Sequence, residues 1–209
     1  MGLMSYFLGI KVKQTDEGIF ISQKKYAKNM LKKFKIESCK LMLTPVEERL
    51  KLERESGGDL VNSTNFRRLV GSLGYLTATR LDIVYGVRLI SKFMNSPRKS
   101  HWKAAKRILR YAKGIIDEGI FYFSSSKLEL VGYTDSDWAG ETETRKSTSG
   151  YVFHLGDGIF SWCSKKQQVV SLPTAEAEYI AATNCATQAV WLRRILSKLK
   201  HQQNGPTRN

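Results

Sequence analysis

The chain has 209 residues, of which 42% are hydrophobic and 11% aromatic, and its formal net charge at pH 7 is +15. This composition supports a folded core and excludes a disordered tail. No stretch of about 18 apolar residues is present, which argues against a membrane-spanning helix, and the N-terminal residues lack the pattern of a secretory signal. We therefore expect an intracellular protein, cytoplasmic or nuclear, that is not secreted and has no membrane partner.

The basic charge is concentrated in the first part of the chain. Residues 1–123 contain 24 basic and 11 acidic residues, whereas residues 124–209 contain 10 and 8. A basic region beside a nearly neutral one is typical of a protein that binds a polyanion through one of its two parts. An inert basic surface explains the same numbers equally well. The three cysteines form no C-x-x-C pair, which argues against a disulfide framework or a zinc ribbon.

The first predicted elements are a β-hairpin and a lysine-rich helix. Apolar alternation over 7–12, a turn at 15–18 and a returning strand over 19–21 predict the hairpin. The helix is predicted over 24–34, and a charged segment with few apolar anchors predicts a loop over 44–62. The apolar stripe of the helix consists of Tyr26, Met30, Leu31 and Phe34.

Three further helices are predicted before the middle of the chain. They run over 65–79, from a cap at Asp82 to a stop at Pro97, and over 100–114 with Ser100 as the cap. The polar face of the third helix carries the candidate nucleic-acid contacts Lys103, Lys106, Arg107, Arg110 and Lys113. Such a face can bind the phosphates along a nucleic-acid backbone. A helix face that is simply exposed to solvent is an equally good interpretation.

Near Gly119 the apolar period changes from helical to alternating. The predicted elements that follow are strands over 120–122, 128–132, 151–153 and 159–162, and a long helix over 174–199. We expect the first two strands to be joined by a turn at 124–127. Strands followed by a long helix predict an α/β (α+β) fold class, and the change of period divides the chain into domains at 1–118 and 119–209.

Acidic residues occur in two short clusters. Asp135 and Asp137 are two positions apart at the end of a predicted strand, where they would share a face. Glu176 and Glu178 begin the long helix and point in different directions, so only one of them can face that strand. Spacing alone leaves open a metal site or a simple preference of acidic residues for a helix start. Neighbouring Tyr133, Trp138 and Trp162 are expected to pack in the core rather than to stack on bases.

These clusters belong to longer motifs with a known counterpart. Residues 132–140, 145–153 and 174–181 closely resemble the ribonuclease H domain of copia-type retrotransposon Pol polyproteins. Upstream, residues 6–10 and 80–83 look like the segment that follows the reverse-transcriptase active site. The resemblance extends over about residues 5–200.

The resemblance implies a ribonuclease H that cleaves the RNA strand of an RNA–DNA hybrid. Such a site holds two Mg²⁺ ions, with Mn²⁺ as a substitute, through about four carboxylates. Asp135 matches the first and Glu178 the helix glutamate, so both are the expected catalytic and metal-binding residues, and Asp137 and Glu176 are expected to be secondary. The implied architecture is a helical thumb- or connection-like reverse-transcriptase region followed by an incomplete ribonuclease H-like mixed sheet with a long helix.

Two expected features of the family are missing from the sequence. The polymerase Asp-Asp pair lies upstream in the family, so we expect no polymerase activity. The third carboxylate lies in a Cys-Asp-Asn motif after the long helix, and the fourth is missing too, so we expect weak or absent Mg²⁺ binding. The favoured hypothesis is therefore a truncated Pol fragment, inactive alone, whose partners are an RNA–DNA hybrid or other nucleic acid and the remaining Pol segments.

Two alternatives remain open. One is a ribonuclease H that becomes active when another chain supplies the missing carboxylates. The other is a co-opted interaction or effector-like protein, because residues 107–110 read Arg-x-Leu-Arg, a tetrapeptide associated with secreted effectors of plant pathogens. Leu109 lies on the predicted apolar stripe of its helix, so we expect it to be a core residue.

Overall fold

A computed structural model describes residues 3–48, 50, 52–54, 58–124, 128–140 and 144–208. The fold is mixed α/β, as predicted. It divides into two compact units, unit 1 (Met1–Thr15 and Ile19–Phe121) and unit 2 (Asp16–Gly18 and Tyr122–Asn209). The sequence-based boundary at 118/119 lies just before this division.

Unit 1 begins with short strands. They are β1 (Tyr6–Phe7), β2 (Ile10–Thr15) and β3 (Gly18–Ser22), which together with β4 (Ile120–Phe123) form a sheet of order β1-β2-β3-β4. The boundary between the units falls within β4.

The prediction of one unbroken strand over 7–12 is wrong. Leu8 and Gly9 adopt positive φ angles of 45° and 77°, which turn the chain between β1 and β2. Glycine adopts this backbone conformation without steric cost. The Tyr75 hydroxyl donates a hydrogen bond to the Leu8 carbonyl and so fixes the turn.

Four helices build the core of unit 1. They are α1 (Lys24–Lys33), α2 (Ser63–Leu76), α3 (Val84–Ser91) and α4 (Lys99–Gly114). Their apolar faces meet, as the predicted stripes require, in a cluster that includes Met30, Leu31, Phe66, Leu69, Leu73, Leu76, Ile83, Ile90, Ile108 and Leu109. In the predicted 44–62 loop, the described residues form no helix or named strand, and residues 49, 51 and 55–57 lie outside the described residues.

The predicted helix ends of unit 1 need correction. Asp82 does not cap a helix: it lies in a 3-10 turn, and its carboxylate accepts hydrogen bonds from Arg80. Helix α3 ends at Ser91, well before Pro97. At α4 the cap is Arg98, not Ser100, because the ring of His101 accepts the Arg98 backbone N–H at 3.0 Å.

Unit 2 is a three-stranded antiparallel sheet covered by one long helix. The elements are β5 (Leu130–Ser136), β6 (Thr148–Leu155), β7 (Gly158–Lys166) and α5 (Thr174–Lys198), and the strand order is β5-β6-β7. The predicted β4–β5 hairpin is wrong, because β4 belongs to the other sheet; residues 125–127 of its turn lie outside the described residues. The core of unit 2 consists of Leu130, Phe153, Cys185, Leu192 and Leu196.

One parallel pairing extends this sheet. Arg208 bridges to Val131 in parallel orientation, and its carbonyl accepts the Gly132 N–H at 3.0 Å. This pairing lies on the edge of β5 that β6 does not occupy. Among the described helices, none is long and apolar enough to cross a membrane.

Candidate active site

The predicted carboxylate Asp135 lies near the end of β5. Buried and exposed residues alternate along this strand, with Leu130 and Ser136 buried and Tyr133 and Asp135 exposed. Leu130 packs with Cys185 of α5, so alternation assigns Asp135 to the opposite face of the sheet. Its carboxylate has no hydrogen-bond or ion-pair partner among the described residues.

Asp137 has a structural role instead. Its carboxylate accepts the Thr148 N–H at 2.6 Å, and its own N–H donates to the Thr148 carbonyl at 3.1 Å. These two bonds close the base of the loop between β5 and β6. The Gly140 position is also close to Asp137, because a Cβ there would clash with Oδ2 of Asp137. The Asp137 carboxylate therefore serves the backbone of this loop, and its place relative to a metal site stays a prediction.

The two glutamates of α5 differ in the same way. Oε2 of Glu176 accepts the Leu172 N–H at 2.9 Å, just before the helix begins at Thr174. A side chain that satisfies an amide ahead of a helix stabilises its start. Glu178 is half-buried, and its carboxylate has no such partner within the described chain. The structure therefore sorts the four acidic residues into two with backbone partners and two, Asp135 and Glu178, without.

A buried glutamine, which the sequence interpretation did not single out, connects the strands to the helix. Gln167 is 5% exposed. Its Nε2 donates to the Ser149 hydroxyl and the Ala177 carbonyl, both at 2.9 Å, and lies 3.3 Å from the Ser136 hydroxyl. Its Oε1 accepts from the Ser171 hydroxyl at 2.8 Å. Ser136 follows Asp135 and Ala177 precedes Glu178, so this network fixes the backbone beside both candidate carboxylates. It does not bring them together, because Ser136 faces α5 and Asp135, one residue away on the strand, faces the opposite side of the sheet.

The described carboxylates do not complete the metal site that the resemblance implies. No group of three His, Cys, Asp or Glu side chains within the described ranges is placed to hold a metal ion. Asp135 and Glu178 are two oxygen-donor groups, whereas Mg²⁺ requires near-octahedral oxygen coordination. Water molecules would have to fill most of that coordination shell.

Two aromatic residues near Asp135 are exposed, contrary to the core packing predicted for them. Tyr133 and Trp138 are 58% and 51% exposed. The indole N–H of Trp138 donates to the Leu172 carbonyl at 3.2 Å, and the guanidinium of Arg145 lies 5.9 Å from the centroid of the Trp138 rings. Trp162 is half-buried.

The basic face of α4 is partly occupied by internal contacts. Arg107 donates to Thr44 and pairs with Glu47 at 3.1 Å, and Lys113 donates to the Cys39 carbonyl at 2.8 Å. Lys106 lies 5.5 Å from the ring centroid of Trp102. The two remaining candidates are Lys103, which is exposed, and Arg110, which is half-buried. Within the described chain, Nε of Arg110 is buried without a hydrogen-bond partner.

An apolar cavity of about 280 Å³ lies elsewhere in unit 2, between α5, β6 and the C-terminal segment. Its charged residue is Arg193, whose guanidinium donates to the carbonyls of Gln203 and Gly205 at 2.8 and 2.6 Å. Because these donors serve the chain itself, the cavity offers little to a charged ligand. It is lined by Phe153, Cys185, Ala186, Ala189, Val190, Arg193, Pro206 and Thr207.

Comparison with known proteins gives a consistent set of relatives. The chain is 39% identical over 203 residues to the retrovirus-related Pol polyprotein from transposon RE2 of Arabidopsis thaliana. The alignment covers 97% of this chain and 14% of that protein. It is 41% identical over 192 residues to an uncharacterised mitochondrial protein of the same plant, covering 91% of the chain and 79% of that protein. The chain belongs to the copia-type Pol polyprotein family.

A third relative carries a different name. The secreted RxLR effector protein 161 of Plasmopara viticola is 44% identical over 124 residues, covering 59% of this chain and 87% of that protein. No protein-family model matches the chain, and no solved structure matches it significantly. The chain spans about one seventh of the length of the RE2 polyprotein, so it corresponds to a limited segment of Pol.

Proposed function

We propose that this Pol segment contains a ribonuclease H-like domain, unit 2, in which Asp135 and Glu178 are the carboxylates available for metal binding and catalysis. Because Asp135 lies on the face of the sheet opposite α5 and Glu178 lies on α5, the two would have to approach each other before they could share an ion. The observation that carries the proposal is the sorting of the acidic residues. Asp137 and Glu176 each accept a backbone N–H at 2.6 and 2.9 Å, whereas Asp135 and Glu178 have no partner in the described chain. A carboxylate without a structural partner is available to a ligand.

We further propose that the chain alone binds RNA–DNA hybrids without cleaving them. Two-metal hydrolysis requires ions on both the attacking and the leaving oxygen, about 3.5–4 Å apart. Two carboxylates are too few to hold such a pair of ions in place. The basic composition of unit 1 supports electrostatic binding of nucleic acid without that chemistry.

The test is incubation of the purified chain with a labelled RNA–DNA hybrid and Mg²⁺ or Mn²⁺, alongside Asp135→Asn and Asp137→Asn. We expect no cleavage, an unchanged melting temperature for Asp135→Asn, and a lower one for Asp137→Asn, because a neutral amide oxygen accepts the Thr148 N–H more weakly than the carboxylate does. Hybrid binding should be intact or stronger in Asp135→Asn, because a negative charge near the phosphates is removed. A loss of hybrid binding in a folded Asp135→Asn variant would contradict the placement of the site.

A second candidate function is a ribonuclease H completed by another Pol segment. The observation that favours it is the parallel pairing of Arg208 with Val131 on the edge of β5 opposite β6. In parallel register, a strand continuing that pairing would reach Asp135 four residues later. The test is Mn²⁺-dependent cleavage with and without a downstream Pol segment. Cleavage that requires the added segment and is lost in Asp135→Asn would establish this function in place of the inactive fragment.

Of the five predicted basic contacts on α4, three form no side-chain hydrogen bond or ion pair with the described residues, and these are the proposed nucleic-acid contacts of that helix. They are Lys103, Lys106 and Arg110. Replacing all three with glutamine should reduce the salt slope of hybrid binding by up to about three units, since each phosphate contact contributes about 0.9. An unchanged slope would identify this helix face as merely solvated.

A further inference from the structure

The exposed face of α1 carries an unusual concentration of positive charge. Five of the ten residues in this helix are lysine, and none is acidic. The buried residues Ala27, Met30 and Leu31 fix which side faces the core of unit 1. At 100° per residue, the positions of Lys25, Lys28 and Lys32 fall on the opposite side, and all three are exposed.

These three lysines differ from their neighbours in lacking partners. Lys24 forms an ion pair with Asp117, and Lys33 lies 5.7 Å from the ring centroid of Phe34. For Lys25, Lys28 and Lys32, the described part of the chain provides no carboxylate, carbonyl or ring contact. Together these three residues form the lysine face of α1.

The spacing within the lysine face brings like charges together. Lys25 and Lys28 are three residues apart and Lys28 and Lys32 four, which makes each pair neighbours on the helix surface, where like charges repel. A ligand with closely spaced negative charges would relieve this repulsion. A single small anion could neutralise only part of the row.

The length of the lysine face matches a nucleic-acid backbone. From Lys25 to Lys32 the helix rises about 10.5 Å, and each strand of a duplex presents one phosphate per about 3.4 Å of axis. The face therefore extends along about three phosphates of one strand. Lysine suits this contact because its ammonium group, on a flexible stem, acts as a point charge toward phosphate.

We propose that Lys25, Lys28 and Lys32 form a phosphate-binding face on unit 1 that binds the backbone of a double-helical nucleic acid. The face lies on an element that the sequence interpretation assigned no contacts. It rests on the proposed binding of RNA–DNA hybrids, which it assigns to named residues, and it requires neither Asp135 nor Glu178. Its partner is defined by chemistry alone, a duplex polyanion read without base specificity.

The experiment measures binding of a fluorescein-labelled RNA–DNA hybrid by the full chain across about 50–200 mM salt. The test variant is Lys25→Gln/Lys28→Gln/Lys32→Gln. The matched control is Lys165→Gln/Lys198→Gln/Lys200→Gln, which removes the same charge from exposed positions of unit 2. Circular dichroism verifies that both variants fold.

We expect the test variant to lower the salt slope by about two to three units and to weaken binding roughly 10- to 100-fold near physiological salt, with little change in the control. Equal losses in both variants would show that net charge alone governs binding, and no loss in the test variant would exclude the face. Vesicles rich in phosphatidylserine form the second arm. Loss of vesicle binding with unchanged hybrid binding would assign the face to an acidic membrane surface and overturn the proposal.

The outcome is independent of the catalytic proposal. Asp135→Asn has an intact lysine face and should retain the full salt slope. Conversely, the lysine variant retains both candidate carboxylates, so its binding defect would not bear on whether unit 2 is ribonuclease H-like.

Discussion

Nε2 of Gln167 donates to the carbonyl oxygen of Ala177 at 2.9 Å, which joins the residue after β7 to the first turns of α5. The carbonyls of a first turn usually accept from amides further along the helix, so this bond is an addition from outside. The same amide group serves Ser149 and lies near Ser136. One buried side chain thus fixes the helix against two strands of the sheet.

Replacement of Gln167 by leucine should destabilise unit 2. The substitution leaves the buried Ser149 and Ser171 hydroxyls without their partner, and an unsatisfied buried polar group costs about 1–3 kcal/mol. We expect a loss of about 2–3 kcal/mol in the free energy of unfolding, measured by urea denaturation. Gln168→Leu, at the exposed neighbouring position, is the control and should change little; similar losses in both variants would refute the role of Gln167.

The elements that the sequence predicted well are those whose pattern is local. The stripes of α1 and α4 follow from residues three and four positions apart, and the long α5 follows from a run without internal glycine or proline; the structure confirms all three. The position of β4 could not be predicted, because a strand of four residues carries no information about its partner. The site shows the same limit: the motif indicated Asp135, but the contribution of Gln167 depends on a fold that brings residues 136, 149 and 177 to one side chain.

The predictions of helix ends were wrong for a related reason. Asp82 is a favourable capping residue by type, but Arg80 lies two residues away and is 6% exposed. Leaving a buried guanidinium without a counter-charge costs more free energy than leaving a helix end without a capping side chain. The burial of Arg80 therefore determines the partner of Asp82. Helix α3 is preceded by the 3-10 turn and has no capping side chain.

Asp82→Asn should destabilise unit 1 by removing the counter-charge of Arg80. Nε and Nη2 of Arg80 donate to the two carboxylate oxygens at 2.9 and 2.6 Å, and Nη1 donates to the Ile115 carbonyl at 2.9 Å. Breaking a fully buried pair costs about 3–5 kcal/mol; because the Asp82 side chain is 35% exposed, we expect about 2 kcal/mol. The control Asp59→Asn removes an exposed pair with Lys99 and should leave the urea midpoint unchanged.

The same pair sets the acid sensitivity of unit 1. Burial acts to raise the pKa of Asp82, but the hydrogen bonds and charge of Arg80 outweigh it, so the pKa is lowered. The stabilisation is therefore complete above the unfolded-state pKa near 3.9 and is lost as the pH falls through the lower folded value. A difference between wild type and Asp82→Asn that persists unchanged to pH 2 would contradict this account.

His101 should make unit 1 less stable in mildly acidic solution. Its ring is buried and stacks on Phe93 at 3.8 Å. Nδ1 accepts the Arg98 N–H at 3.0 Å, so the proton is on Nε2, which donates to the Glu53 carbonyl at 2.9 Å. Burial lowers the pKa of His101, with the charge of Arg98 acting in the same direction. Protonation would place a second hydrogen against the Arg98 amide.

Because the folded pKa is below the unfolded value near 6.5, unfolded chains bind the proton first and stability falls as the pH drops below about 6.5. Urea midpoints at pH 7.5 and pH 5 should therefore differ in the wild type. His101→Gln retains an acceptor for the Arg98 amide at a capping position and cannot titrate, so its midpoints should differ less. An equal pH dependence in both proteins would assign the effect to other groups.

Leu109→Ala tests whether the Arg-x-Leu-Arg tetrapeptide is a recognition element or part of a core. Leu109 is fully buried in α4, and the preceding Ile108 is 1% exposed, so neither side chain is available to a partner in the folded chain. We expect the substitution to cost about 2–5 kcal/mol, as for other buried leucines. Lys103→Ala, on the exposed side of the same helix, is the control and should unfold at the wild-type urea concentration. If Leu109→Ala unfolded at the wild-type urea concentration, Leu109 would not be a core residue. The tetrapeptide would then be available as an exposed recognition motif.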